Sequence, residues 1–331
     1  MIRKAFISAA TAITLLAAVS PASAALTLTP IGVSDGFNLT TFVGGYFGQY
    51  GPLAEGILPN GNVVTGSLST DQIYVFKDVD NQTLASALIA TPYTFTTGNP
   101  NYAITTAGGQ VYGAQLQGGV YEMFHNDGSH TALTGPISSV TNFLGMWGDP
   151  VNGHIISASN SGLIDIDPVT GSFRVINAGL FPDGVTVSPN GNTIYVENSG
   201  TIQSYDYTSG ALINTYNIGH SPDGTGVISG GKFNGDIIVN NNDGTVGLLN
   251  PSTSAFDIIA SGGTRGDFVS PDRSNGTLFL SQYDQIARLA CGPGCTIGGG
   301  GVPEPATWTM LILGLGALGV VSRRRRAAVA G

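Results

Sequence analysis

The stretch PDGVTVSPNGNTIYVENSGTIQSYDYTSG, residues 182–210, decides the fold of this chain of 331 residues. It contains a glycine that opens an apolar strand (GNTIYV), a tight turn (NSG), a second strand and a closing turn (DYTSG). Asparagine and glycine supply the positive backbone angles that short hairpin loops require. The stretch therefore predicts a β-hairpin that continues into a further strand.

The same pattern recurs six times. The opening glycines lie 38 to 48 residues apart, at Gly61, Gly109, Gly153, Gly191, Gly235 and Gly276. A second strand follows each glycine by 10 to 12 residues, at Ile73, Val120, Leu163, Ile202, Val246 and Ile286. Repeats of this length are typical of propeller blades. Together with the high glycine content and few charges, they predict an all-β, six-bladed β-propeller over residues 25–297.

The sixth unit is truncated, because after Leu289 the chain turns through two cysteines into a glycine-rich stretch. The segment from Leu26 to Phe42 is apolar, strand-like and outside the repeats. We expect it to supply the missing outer strand and close the ring, which removes exposed sheet edges.

Cys291 and Cys295, separated by Gly-Pro-Gly, predict a local disulfide, since a metal site would need more ligands than this pair provides.

Both ends of the chain carry processing signals. Arg3 and Lys4 precede an apolar run and a small-residue cleavage region, so residues 1–24 are predicted to be a secretory signal peptide. Residues 298–302 form a glycine-rich linker, and residues 303–331 form a sorting and membrane segment. That segment contains a Pro-Glu-Pro motif, a tryptophan, an apolar run from Thr309 to Val321 and an arginine cluster: Pro303, Glu304, Pro305, Trp308, Arg323, Arg324, Arg325 and Arg326.

This order of features resembles the PEP-CTERM sorting signal of Gram-negative bacteria. The resemblance implies export, transient insertion of the apolar helix in the inner membrane, and cleavage near the Pro-Glu-Pro by an exosortase-type protease. The arginines would stay on the cytoplasmic side. The alternative is a plain membrane anchor, but the apolar run is shorter than the roughly 20 residues that span a bilayer. The resemblance therefore implies release to the cell surface or extracellular matrix.

The charge of the body limits its partners. Residues 25–302 contain six basic and twenty acidic residues, a formal charge of −14. Such a surface repels nucleic acid, so no nucleic-acid partner is expected. A glycan or peptide ligand on the loops is an open alternative, which clustered aromatic residues in the first three blades would suit.

Acidic residues recur where the innermost strands should begin, at Glu55, Asp183, Asp223 and Asp267. The segments around the first three (AEGILPNGNVV, PDGVTVSPNGNTIYV and PDGTGVISGGKFNGDIIV) resemble those of the gluconolactonase and regucalcin family of six-bladed propellers. The resemblance implies one divalent metal held by Glu55, Asp183 and Asp223, although Asp183 stands where the family usually has asparagine. An oxygen-only site suits Ca²⁺ or a similar hard cation. Alternatively these strings are structural turns, as in NHL-type propellers.

A bound metal would allow lactone hydrolysis, because a divalent ion polarises the carbonyl and activates water. However, residues 140–149 (VTNFLGMWGD) do not match the substrate segment of that family. His125, His130, His154 and His220 are dispersed, and no catalytic or cofactor-binding residue is predicted. The sequence therefore favours a non-enzymatic binding or structural propeller, with a calcium-dependent lactonase as the alternative.

Overall fold

The computed structural model describes residues 25–297, except residues 49, 71, 93–101, 116–120 and 293. These residues form a six-bladed propeller, as the glycine repeat predicts. The N-terminal segment comprises β1 (Thr27–Leu28), helix α1 (Pro30–Ser34) and β2 (Asn38–Gly44). The signal peptide, linker and sorting segment predicted above lie outside the described residues.

Each blade has its innermost strand first in the chain. Blade one contains β3 (Pro52–Ile57), β4 (Val63–Ser67), β5 (Gln72–Phe76), the short β6 (Gln82–Thr83), which pairs elsewhere, and β7 (Ile89–Pro92). Blade two contains β8 (Tyr102–Ala107), β9 (Gln110–Gln115), β10 (Tyr121–Phe124) and β11 (His130–Ala132). Blade three contains β12 (Met146–Gly148), β13 (Ile155–Ser159), β14 (Gly162–Asp167) and β15 (Ser172–Asn177).

The remaining blades continue this arrangement. Blade four contains β16 (Val185–Val187), β17 (Thr193–Asn198), β18 (Thr201–Asp206) and β19 (Leu212–Tyr216). Blade five contains β20 (Pro222–Ser229), β21 (Ile237–Asn241), β22 (Val246–Asn250) and β23 (Ala255–Ser261). Blade six contains β24 (Gly266–Asp272), β25 (Thr277–Gln282) and β26 (Gln285–Ala290), and β27 (Thr296–Ile297) follows it. Two 3₁₀ helices cover Leu84–Ser86 and Pro136–Ser139.

The six repeat glycines stand in the turns between the first and second strands of the blades. All six have a positive φ, between 73° and 90°. Side chains other than glycine rarely adopt this conformation, so the turn itself requires glycine at this point of every blade. The periodicity in the sequence is therefore a periodicity of turns.

The innermost strands form a closed ring. In order around the ring, β3 contacts β8, β8 contacts β12, β12 contacts β16, β16 contacts β20, β20 contacts β24, and β24 returns to β3. Hydroxyl groups connect several neighbours: Thr106 Oγ1 accepts from the Ile57 amide at 2.8 Å, and Thr105 Oγ1 accepts from the Gly148 amide at 3.0 Å. The apolar core fills the spaces between successive blades.

The N-terminal strand closes the ring, but with different limits from those predicted. β2 pairs antiparallel with β26, from Asn38 opposite Ala290 to Gly44 opposite Gln285, and is the outer strand of blade six. The first half of the predicted segment does not join it, because Thr27 and Leu28 pair with β23 of blade five. Between the two strands α1 begins at Pro30, and the Thr29 hydroxyl accepts a hydrogen bond from the Gly32 amide.

Arg288 of β26 connects the closing strand to blade one. Its guanidinium group lies 5.0 Å from the ring centres of both Phe42 and Phe279. It also forms salt bridges with Asp78, Asp80 and Asp272. Buried cations are tolerated when several carboxylates and aromatic faces surround them. The first and last blades are therefore joined by charge as well as by strand pairing.

A disulfide joins Cys291 and Cys295, whose Cα atoms are 5.7 Å apart. Directly after it, Thr296 and Ile297 pair with Ser229 and Ile228 at the end of β20. The bridge therefore turns the chain from blade six back onto blade five. Among the described residues, no helix has the length and apolar character needed to cross a membrane.

Candidate functional site at the carboxylate end of the channel

The acidic residues of blades four, five and six lie where their inner strands begin. Asp183 lies two residues before the start of β16, Asp223 is the second residue of β20, and Asp267 is the second residue of β24. The glycines after two of these aspartates have a packing role. A Cβ atom on Gly184 would lie 2.1 Å from the Asp223 carbonyl oxygen, and one on Gly224 would lie 2.3 Å from that of Asp267.

Asp-Gly is therefore a structural unit of this channel. The glycine lets the next inner strand approach closely. The aspartate before it lies at the channel mouth, where the inner strand begins. The repeated Asp-Gly strings therefore have a packing role, although Asp223 and Gly224 lie within β20 and not in a turn.

Arg265 lies among these carboxylates. Its Nη2 is 2.8 Å from Asp223 Oδ2 and its Nη1 is 2.9 Å from Asp267 Oδ2. The rings of Tyr50 and Tyr283 lie 5.0 and 5.6 Å from its guanidinium carbon. Arg265 was not among the site residues predicted from the sequence. The available signal was its position two residues before Asp267 in a body with only six basic residues.

Burial dominates the protonation of this cluster. It raises the pKa of both Asp183 and Asp267 from 3.8 to about 6 and that of Asp223 well above its usual range, while Arg265 opposes each rise. Charges on Asp183 and Asp267 raise the pKa of Asp223 further, and Asp183 and Asp223 share a hydrogen bond. Burial and the neighbouring like charges therefore make these carboxyl groups hold their protons more strongly than ordinary aspartates do.

Glu55 lies deeper in the channel, on β3, and is fully buried. Its Oε1 accepts a hydrogen bond from the Ser281 hydroxyl at 2.8 Å, and its Oε2 has no partner. Burial raises its pKa from 4.5 to about 8, the hydroxyls of Ser281 and Ser270 oppose the rise, and Asp267 adds to it. Glu55 is therefore largely protonated at neutral pH.

The three predicted metal ligands do not form a ready metal site. Asp183 and Asp223 are brought together, but Asp223 is bound by Arg265, and Glu55 is buried below them. Among the residues that the structure describes, no group of three histidine, cysteine or acidic side chains could hold a metal ion. A guanidinium group supplies the positive charge that a divalent ion would bring. Arg265 holds this position in the structure, and calcium binding by Glu55, Asp183 and Asp223 stays a prediction.

We predict that the stability of the protein decreases between pH 6 and pH 8 because of Glu55. The folded-state pKa of about 8 lies above that of the unfolded chain, near 4.5, so stability present at low pH is lost as Glu55 ionises. In chelator-treated protein, Glu55→Gln should gain roughly 1 to 2 kcal/mol over wild type across this interval. Urea unfolding at several pH values measures the difference, and parallel curves for the two proteins would contradict the assignment.

Comparison with known proteins supports the C-terminal sorting motif and the propeller fold of the body. The PEP-CTERM protein-sorting motif matches residues 301–326. A gluconolactonase from Xanthomonas campestris has a similar structure, with a TM-score of 0.59 and 14% identity over 82% of this chain and 98% of the other. A solved candidate gluconolactonase gives 0.57 and 13% over 81% and 98%. No curated protein sequence matches significantly.

These comparisons define the class of protein. The chain carries a PEP-CTERM sorting motif, which implies export, a membrane-associated sorting intermediate and exosortase processing in general. Its body has the six-bladed fold of the gluconolactonase structures. At such low identity the likeness concerns the fold alone.

Proposed function

We propose that the protein is an exported propeller that an exosortase-type protease releases from the inner membrane, and that it acts outside the cell as a non-enzymatic binding protein. The sorting motif at residues 301–326 carries this proposal. The propeller fits the proposed location, because it is closed by its own N-terminal strand and retains a disulfide after its last blade. Its partners in sorting would be the export machinery and the processing protease.

We expect the mature protein to end near Pro303 to Pro305. The apolar run is too short for a stable anchor, and the arginine cluster retains it only until cleavage. Mass spectrometry of protein recovered from the surface of an exosortase-containing host should find no peptide from residues 323–326. A variant with Ala at positions 303, 304 and 305 is the matched control and should stay in the membrane fraction. Recovery of intact surface protein with all four arginines would instead identify a plain anchor.

The non-enzymatic assignment is supported by the channel. A hydrolytic metal needs open coordination positions and free carboxylates, whereas Asp223 and Asp267 here are occupied by Arg265. Glu55 is deeply buried and largely protonated, so it is not available as a base that activates water. The acidic cluster therefore serves the packing of the blades better than it serves catalysis.

The alternative is a calcium-dependent lactonase. It is favoured by the likeness to gluconolactonase structures and by the aspartates at the channel mouth. The two proposals differ in one physical respect, which is whether a divalent ion can displace Arg265 from Asp223. The response of the wild-type protein to calcium therefore distinguishes them.

A further inference from the structure

The opposite end of the channel contains a cleft that no sequence motif predicted. It has a volume of 730 Å³ and lies where the inner strands of blades one, two, three and six end. Arg273 directly follows β24, six residues after Asp267, so the two residues are about 20 Å apart along the extended strand. We call this cleft the lower cleft. Its walls include Ile57, Leu58, Pro59, Thr106, Asp149 and Arg273.

Two charged side chains in the lower cleft have unused hydrogen-bonding atoms. Asp149 is 1% exposed, its Oδ1 accepts from the Val151 amide at 2.8 Å, and its Oδ2 is buried without a partner. Arg273 donates from Nη2 to the Gly148 carbonyl oxygen, while its Nε is buried without a partner. Unpaired buried polar atoms are costly, so a ligand group that reached them from the cleft would be stabilised by pairing with them.

The charges of the lower cleft restrict that ligand. Asp149 and Arg273 form no salt bridge with each other in the described structure. Burial lowers the pKa of Arg273, and the negative charge of Asp149 opposes that shift. An anionic group would be repelled by Asp149, and a cationic group by Arg273. A hydroxyl group can donate to the carboxylate and accept from the guanidinium group. Neighbouring hydroxyls on one molecule would satisfy both.

The walls and extent of the lower cleft suit a chain of sugar rings. Its volume is within the range of small-molecule sites, and backbone and proline surfaces form much of its lining. A side chain on Gly61 or Gly109 would meet no atom within 4 Å, so the rim is open. A second groove of 560 Å³ shares Pro59 with the lower cleft and is lined by polar residues of blade two, including Asn126.

We propose that the lower cleft binds a neutral saccharide, with Asp149 accepting a hydrogen bond from one sugar hydroxyl and Arg273 donating one to the same or the adjacent hydroxyl. The proposal rests on the proposed function of an extracellular binding protein and names the ligand class and the site. It places recognition at the end of the channel opposite to the acidic cluster.

Calorimetric titration of the full processed protein tests this inference. The probes are neutral oligosaccharides of two to six units derived from dextran, cellulose, chitin and galactan, together with oligogalacturonates as anionic competitors. We expect at least one neutral series to bind. Asp149→Asn and Arg273→Met should each weaken that binding roughly tenfold or more, since each leaves a hydrogen-bonding group of the ligand or protein unpaired.

Further variants make the result decisive. Pro59→Trp places a large side chain at an exposed wall residue, so it should abolish binding, and its melting curve shows that the variant is still folded. Asp183→Asn, at the opposite end of the channel, should bind saccharide normally. Tighter binding of the oligogalacturonates, or binding that survives Pro59→Trp, would overturn the proposal, as would the absence of any saccharide binding.

Failure of this inference can be separated from failure of the proposed function. Protein that is processed at its tail but binds no saccharide overturns the lower cleft alone. Protein that is never processed overturns the sorting assignment, and it can still be titrated with the same sugars.

Discussion

Deletion of residues 38–44 will leave a chain without a cooperative unfolding transition. These residues form β2, which supplies the whole outer strand of blade six and all of its pairing with β26. The deletion removes Phe42 and Val43, both 0% exposed, and uncovers Ile286 and Leu289. Loss of one buried phenylalanine side chain costs about 3 to 5 kcal/mol, against a typical total stability of about 5 to 15 kcal/mol. Thermal melts followed by circular dichroism measure the effect.

Moving the same strand provides the matched control. Because Asn38 lies opposite Ala290, a short hairpin turn can join Ala290 to a copy of residues 38–44 in a chain that begins at residue 45. This permuted chain should regain a sharp transition, since closure depends on pairing and not on chain order. A second control, removal of residues 25–28, should lower the melting temperature far less, because β1 only extends the edge of blade five. A wild-type melt for the 38–44 deletion would contradict closure by β2.

The sequence contained enough information to predict the blades and their number. A positive φ at Gly61 and at its five equivalents is a local requirement of a turn, and local requirements leave a periodic signal. The truncated sixth repeat then indicated closure by the N-terminal segment. The limits of the closing strand were wrong because Thr29 and Pro30 start a five-residue helix, and a helix this short has no detectable periodicity.

The site was less predictable because it depends on contacts between blades. Asp183 and Asp223 were found through the Asp-Gly repeat, but Arg265 occurs once and has no repeated counterpart. Asp149 and Arg273 lie 124 positions apart in the chain and meet only because both follow the ends of inner strands. Pairwise relations of this kind are set by closure of the ring, which no local pattern records.

Replacement of Arg265 by alanine will destabilise the protein strongly at neutral and higher pH. The substitution leaves Asp223, 2% exposed, and Asp267, 7% exposed, without their cation. Removing one partner from a buried ion pair costs about 3 to 5 kcal/mol, and the 23% exposure of the arginine side chain reduces this to about 3 kcal/mol. The loss should shrink towards pH 5, because Arg265 holds down the pKa of Asp267 and of both its neighbours, and protonation relieves their repulsion.

Arg174→Ala is the matched control, since Arg174 also pairs with one aspartate and lies over a tyrosine ring but is 45% exposed. It should cost no more than about 1 kcal/mol.

Calcium then separates the two proposed functions. In Arg265→Ala the freed carboxylates can bind Ca²⁺, which would restore about 2.7 kcal/mol at a free concentration 100 times the Kd. Wild-type protein should show no such gain and no calcium-dependent hydrolysis of gluconolactone. A calcium-induced rise in the wild-type melting temperature that Asp183→Asn and Asp223→Asn remove, accompanied by lactone hydrolysis, would show that the ion displaces Arg265 and that the protein is a lactonase.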